Sequence, residues 1–245
     1  MSESKFAPGE GERARALGVK ADWKPHAAAP KTHQRVLELV RTYLKDQPGA
    51  RLCDVPCGAG ALSAQLAASG LDVIAVDIAA VEPFKFERER RRMHDCNRGL
   101  PFADAELDAV VSVEGIEHLE NPTGFLRECA RVLRPGGLLF LTTPNVDSLR
   151  SRKYVIGRGY HRFFGPEGEN ARDAGHVHPV DMMFVRYAIK ALGLTWVEGA
   201  VNCISGKTWY SELLRPLLQR KLPVWMRGEV PFYGDVMIYV LRRDV

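Results

Sequence analysis

Apolar residues along the chain fall into short unbroken runs that alternate with stretches of helical spacing. Thr32 to Lys45 carries Val36, Leu37, Val40 and Leu44 on one helical face, and Pro48-Gly49 closes it, which predicts a first helix. From Arg51 an apolar run reaches an acid, Asp54, turns through Gly58 and Gly60, and opens a segment with Leu62 and Leu66 one turn apart. This reads as strand, tight turn, helix. A second run, Asp72 to Asp77, again ends in an acid, and Arg92 to Asn97 reads as a short third strand and its end. Leu107 to Val113 is apolar throughout, as a strand covered on both faces must be. Asn121-Pro122 then starts a helix with Phe125, Leu126, Cys129 and Leu133 as its inner stripe. Pro135-Gly136-Gly137 is expected to end that helix, and Leu138 to Thr142 to form a fifth strand. Pro179 to Leu192 returns to helix, Thr195 to Asn202 to strand, and Val236 to Leu241 closes the chain. The strands number seven, alternating with helices up to a final hairpin that looks antiparallel.

Three stretches break the alternation. Residues 1–30 hold Pro8, Gly9, Gly11, Pro25 and Pro30 with scattered charge and no period, and are expected to be a flexible arm with Trp23 as its anchor. Residues 146–178 read as an irregular insertion in which Tyr154, Tyr160, Phe163 and Phe164 mix with Arg150, Arg152, Lys153, Arg158 and Arg162. Residues 208–227 place Trp209, Leu213, Leu214, Leu217, Leu218 and Trp225 among Arg215, Arg220, Lys221 and Arg227. A domain of residues 31–245 with 146–178 and 208–227 as substrate-side insertions is the expected organisation. The chain's 245 residues and 46% hydrophobic content suit one soluble globular unit. A net charge of +4 is too slight to argue for nucleic acid. The five cysteines contain no Cys-x-x-Cys pair and read as reduced thiols of a cytoplasmic protein. No apolar run suggests a signal peptide or spans a bilayer. The charge-dense stretch from Lys85 to Arg98 reads either as a solvated face or as an anion contact.

The chemistry concentrates at the first two strand ends. Glycines let backbone approach a ligand, a helix start presents unpaired N–H groups, and a carboxylate ending a second strand suits a ribose diol. Ser63 stands where a dinucleotide fingerprint wants its third glycine, which disfavours a nicotinamide dehydrogenase. With Asp95-Cys96, Leu100-Pro-Phe102, Leu107 to Leu119 and Arg131 to Asn145 following in order, the sequence resembles the class I S-adenosylmethionine-dependent methyltransferases from about Arg51 to Asn145. It departs from them at Pro56, where the family usually has glycine. The resemblance implies an α/β, Rossmann-like, seven-stranded, mostly parallel sheet with helices on both faces and an antiparallel final strand. It also implies S-adenosyl-L-methionine as cofactor. Gly58 and Gly60 would approach its methionine part, while Asp54 orders the loop. Asp77 would take the ribose hydroxyls, and Asp95 the adenine amino group beside the Cys96 backbone. Val113 and Glu114 would pass the methionine.

Glu114, Glu117 and His118, with His176 or His178, also resemble the metal sites of small-RNA 3′-end and ubiquinone O-methyltransferases, although Ile-Glu-His-Leu is widespread among members without metal. The expectation is therefore that no metal is required, and that His118 or His176 serves as the catalytic base. Gly175-His-Val-His-Pro179 is similar to an element of methyltransferases from glycan and lipopolysaccharide loci. The function so implied is O-methylation of a small or lipid-linked acceptor in cell-envelope glycan synthesis. The alternatives are a quinone or aromatic O-methyltransferase, or a cofactor-binding regulatory partner without turnover. Residues 208–227 are read either as a peripheral contact with the inner membrane face or as cover for the sheet edge. A protein partner stays open.

Overall fold

The computed structural model describes residues 28, 29, 31–165, 175–203, 216 and 233–245, and every structural statement below concerns these. They form a seven-stranded sheet in which β1 is Arg51–Asp54, β2 Asp72–Asp77, β3 Arg91–Met93 and β4 Leu107–Ser112. β5 is Leu133–Pro144, β6 Leu194–Val201 and β7 Val236–Arg243, in the order β3-β2-β1-β4-β5-β7-β6. β1 to β5 run parallel, and β7 lies antiparallel to both β5 and β6. The expected architecture, its antiparallel last strand included, is the observed one.

Strand periodicity builds two cores. Successive residues point to opposite faces, so Leu52, Val73, Val111, Phe140, Ile238 and Val240 meet helices α1 (Thr32–Tyr43) and α2 (Ala61–Ala67) through Val36, Val40, Leu62 and Leu66. Their neighbours Cys53, Ile74, Val110, Leu139, Leu141, Met237, Tyr239 and Leu241 face the other way. They pack on α3 (Pro122–Val132), through Phe125, Leu126 and Cys129, and on α5 (Met182–Ala191), through Met182, Val185 and Ile189. The caps agree with the sequence: Asn121 Oδ1 accepts from Gly124 N at 2.8 Å, and Asp181 Oδ1 from Phe184 N.

Two expectations need correcting. Pro135-Gly136-Gly137 does not separate helix from strand, because β5 begins at Leu133 and the three residues form an irregularity inside it. Leu133 is opposite Leu107 and Leu138 is opposite Ala109, so the extra residues bulge from the ladder. Glycine is required there: Gly136 has φ 80, and a Cβ on Gly137 would lie 2.9 Å from the Arg134 carbonyl oxygen. The second correction concerns residues 146–178, which contain a helix, α4 (Leu149–Arg158), and are not irregular throughout. Ser148 Oγ caps it by accepting from Ser151 N at 3.1 Å, and Gly159 ends it at φ 83. Of its ten residues Ser151 is buried and most others are exposed, so no apolar stripe announces the helix. The arm apart from residues 28 and 29, residues 166–174, and the 208–227 segment apart from Pro216 lie outside the described residues, as do Trp23, Trp209 and Trp225. Among the described residues, no helix is long and apolar enough to cross a membrane.

Candidate active site

The parallel strands present their carboxyl ends along one edge, and the strand order reverses between β1 and β4, where α/β sheets bind ligands. Asp54 ends β1 fully buried, with Oδ2 accepting from the Ser63 hydroxyl at 2.6 Å. Ser63, which excluded the dinucleotide fingerprint, is thus the clamp that ties α2 to β1. Burial pushes the Asp54 carboxyl up to about 7, against the Ser63 bond and with help from the nearby Asp77 charge. Asp77 ends β2, and its two oxygens accept from Gly58 N at 2.8 Å and Ala79 N at 2.9 Å. A carboxylate has about four lone-pair sites, so two bonds leave capacity for a diol. Burial raises this carboxyl as well, and the backbone donors and Arg91 oppose the shift.

Gly58 and Gly60 have φ 52 and 73, and a Cβ on Gly60 would lie 2.7 Å from the Phe84 ring. These are positions where only glycine turns the chain at little cost. His94 N donates to the Asp77 carbonyl at 2.9 Å, which brings Asp95 and Cys96 alongside β2. Asp95 caps the following turn by accepting from Asn97 N at 3.0 Å, and burial pushes the Cys96 thiol up to about 12. Val113 is buried just beyond β4. Glu114 follows with φ 48, its N–H on Thr142 Oγ1 and its carboxylate accepting from Ala29 N at 2.8 Å. The charges between Glu82 and Arg91 are largely paired with acids: Arg88 and Arg91 meet Glu82, and Arg90 meets Asp72.

Beyond Gly115 a single turn, Ile116–His118, carries Glu117 and His118. The Glu117 carbonyl accepts from Val177 N and His178 N, which draws the 175–178 stretch against the turn. His118 and His176 consequently meet edge to face with centroids 4.7 Å apart. His118 Nδ1 lies 3.0 Å from the Gly175 carbonyl oxygen, and His176 Nδ1 3.0 Å from that of Phe163. A carbonyl only accepts, so each neutral ring holds its proton at Nδ1 and its lone pair at Nε2. One ligand atom each from Glu117, His118 and His176 lie within 4.8 Å of one another. Glu117 is fully buried, and neither of its carboxylate oxygens has a hydrogen-bond partner among the described residues. Burial holds this carboxyl well above the usual range, and the Thr143 hydroxyl, near but outside hydrogen-bond geometry, eases the shift. Glu114 and His178 stand outside the cluster. The buried hydroxyls of Ser112 and Thr143 at the ends of β4 and β5 went unnoticed in the sequence, where they read as ordinary strand residues. On the insertion side, Arg162 pairs with Asp235 and is largely covered, whereas Arg158 is exposed.

Fold, strand-end acids and glycine turn together are those expected of a class I S-adenosylmethionine-dependent methyltransferase domain. Residues 53–141 match the family described as Methyltransferase domain. The Ubiquinone biosynthesis O-methyltransferase of Xanthomonas oryzae pv. oryzae is 36% identical over 132 residues, covering 50% of this chain and 55% of that protein. The chain thus spans little more than half the length of that relative. Among solved structures, a Burkholderia thailandensis 1,6-didemethyltoxoflavin-N1-methyltransferase with bound S-adenosylhomocysteine superposes with a TM-score of 0.56 at 13% identity, over 96% of this chain and 87% of its own. A Haloferax volcanii methyltransferase in complex with the Trm112 methyltransferase activator gives 0.57 at 14% identity, over 96% of both chains. At these identities the structures establish the shared fold.

Proposed function

We propose that the protein transfers a methyl group from S-adenosylmethionine to a hydroxyl of a small or lipid-linked acceptor. The observation that carries this reading is the frame at the strand ends, in which Asp77 is buried, fixed by Gly58 N, and still able to accept a ribose diol. Asp54, Gly58 and Gly60 would hold the methionine side, Asp95 and the Cys96 backbone the adenine, and the backbone at Val113 and Glu114 the sulfonium region. When bound, the sulfonium supplies an electrophilic methyl carbon. An acceptor oxygen held in line with that carbon would take the methyl group, the bonding pair staying on sulfur. The acceptor proton goes to Nε2 of His118 or His176, whose lone pairs the Nδ1 bonds to carbonyls set up. The remaining work is alignment of the reacting atoms away from water.

A specific observation favours a second reading of the acceptor side. A buried carboxylate without partners is costly unless it is protonated or meets a cation, and Glu117 lies within 4.8 Å of two histidine nitrogens. The donor set, one carboxylate oxygen with two imidazole nitrogens, suits a divalent cation. With such an ion, Glu117, His118 and His176 would be its ligands and the acceptor an aromatic diol of the kind the ubiquinone-pathway relatives suggest. The ion would favour the ionised acceptor oxygen. Cell-envelope glycans remain the proposal for the metal-independent reading.

One assay separates the two. Labelled methyl donor is given to the purified protein with cell extracts, and label is read in lipid, glycan, quinone and protein fractions with and without chelator. Label in a glycan or lipid-linked fraction that survives chelation supports the first reading. Quinone label that chelator removes and magnesium or manganese restores supports the second, and no label in any fraction contradicts both.

A further inference from the structure

The Glu114 carboxylate takes the backbone N–H of Ala29, a residue 85 positions away, at 2.8 Å. Both ends of this contact are built in. Ala29 is the last turn before α1: its carbonyl accepts from Thr32 N at 3.0 Å, and Ala28 packs on the core beneath α1 and α2. Glu114 sits where β4 turns, with φ 48, a conformation uncommon for any residue but glycine. Its N–H is held by Thr142 Oγ1 at 2.9 Å, and the next residue, Gly115, lies against the Pro56 ring. Pro56 in turn belongs to the loop whose Gly58 N–H holds Asp77. An unbroken path of contacts therefore runs from the chain entering α1, through Glu114, Gly115 and Pro56, to the carboxylate assigned to the ribose. Glu114 lies outside the Glu117, His118 and His176 cluster, so the first acid of the Glu-x-x-Glu-His stretch has a task different from the second.

We propose that Glu114 is a positioning residue. Its carboxylate ties the chain entering α1 to the turn facing the cofactor, so that docking of this entry and occupancy of the cofactor site favour one another. The coupling rests on the reading of that site as one for S-adenosylmethionine, and linkage makes it reciprocal. The requirement is an acceptor oxygen at this position, not a negative charge.

Hydrogen exchange over residues 28–34 and calorimetry with S-adenosylhomocysteine, on wild type, Glu114→Gln and Glu114→Ala, test this. In wild type the Ala29 amide should be protected and become more so on adding ligand. Glu114→Gln keeps an acceptor oxygen and should retain that protection. Glu114→Ala should lose the protection and bind roughly tenfold more weakly, inside the usual span of coupling between two sites, with circular dichroism confirming that it is folded. Wild-type protection or affinity in folded Glu114→Ala overturns the proposal. So does Glu114→Gln behaving like Glu114→Ala, which would assign the charge to the ligand itself. If wild type binds no ligand, the cofactor reading and the coupling both fall. The ligand-free exchange of Glu114→Ala against wild type then still decides separately whether the tie exists.

Discussion

Gly115 and Pro56 make a steric pair that a double-mutant cycle can expose. A Cβ on Gly115 would lie 2.2 Å from Pro56 Cδ and 2.7 Å from Cγ. Carbon atoms rest near ~3.5 Å, so an alanine methyl is short of room by about 1.3 Å. The proline ring cannot swing away, and its backbone is fixed on one side by Val55 N on the Val111 carbonyl and on the other by Cys57 N on that of Val76. Gly115 itself has φ −126, which alanine adopts without strain, so the cost of Gly115→Ala is steric alone. Overpacking of this kind costs about 1–3 kcal/mol, and here the upper part of that range is expected because both partners are backbone-bound. Pro56→Gly, which restores the family's usual residue, removes the ring. In that background Gly115→Ala should become nearly neutral, giving a coupling of about 1–3 kcal/mol. Urea denaturation with an unchanged slope measures each corner of the cycle. The reasoning is refuted if Gly115→Ala alone stays within about 0.5 kcal/mol of wild type, the span of an innocuous surface change. It is equally refuted if the substitution costs as much in the Pro56→Gly background as it does with the proline ring in place.

Asp54 gives a pH signature. Its folded carboxyl is raised to about 7 from 3.8, so the folded state binds the extra proton and stability is favoured at acid pH and lost as pH rises through that interval. At 1.36 kcal/mol per unit this contributes about 4 kcal/mol between pH 4 and pH 7. Asp54→Asn should lack that component, and parallel slopes for variant and wild type in pH-resolved urea melts would contradict it. Arg158→Ala should raise the acceptor's apparent KM severalfold with S-adenosylhomocysteine affinity unchanged. Arg162→Ala should lower stability by about 1 kcal/mol and leave that KM unchanged, because Arg162 is the nearer of two arginines on Asp235 and Arg150 remains, and the reverse pattern in steady-state kinetics and melts would reject this division.

What the sequence made legible was whatever a local pattern encodes. Unbroken apolar runs such as Leu107 to Val113 marked strands covered on both faces, and the acids ending β1 and β2 marked the ligand edge. Helix α4 was hidden because its residues from Leu149 to Arg158 bury little, and helical spacing is visible only where a stripe is buried. Its remaining signals, Ser148 and Gly159, are caps that serve equally well in loops. The Pro135-Gly136-Gly137 bulge was misread for a related reason, since the same residues end helices and interrupt strands. Long-range pairings had no local trace at all. Nothing near Arg162 points to Asp235, nor anything near Glu114 to Ala29, because those contacts are made by the fold and not by neighbours in sequence. The meeting of His118 with His176 was anticipated only as motif resemblance, and it is the Glu117 carbonyl, binding Val177 N and His178 N, that brings it about.

The central claim is that Asp77, set between Gly58 and Ala79, holds the ribose of S-adenosylmethionine. Calorimetry with S-adenosylhomocysteine on wild type and Asp77→Ala measures it most directly. Loss of a hydrogen-bonded charged group removes about 1.5–3 kcal/mol per bond, so two hydroxyls released together should abolish detectable binding. The account predicts one equivalent bound by wild type and none by a variant whose circular dichroism and urea midpoint show it folded. Equal affinity in the folded variant, or no binding by wild type, would contradict it.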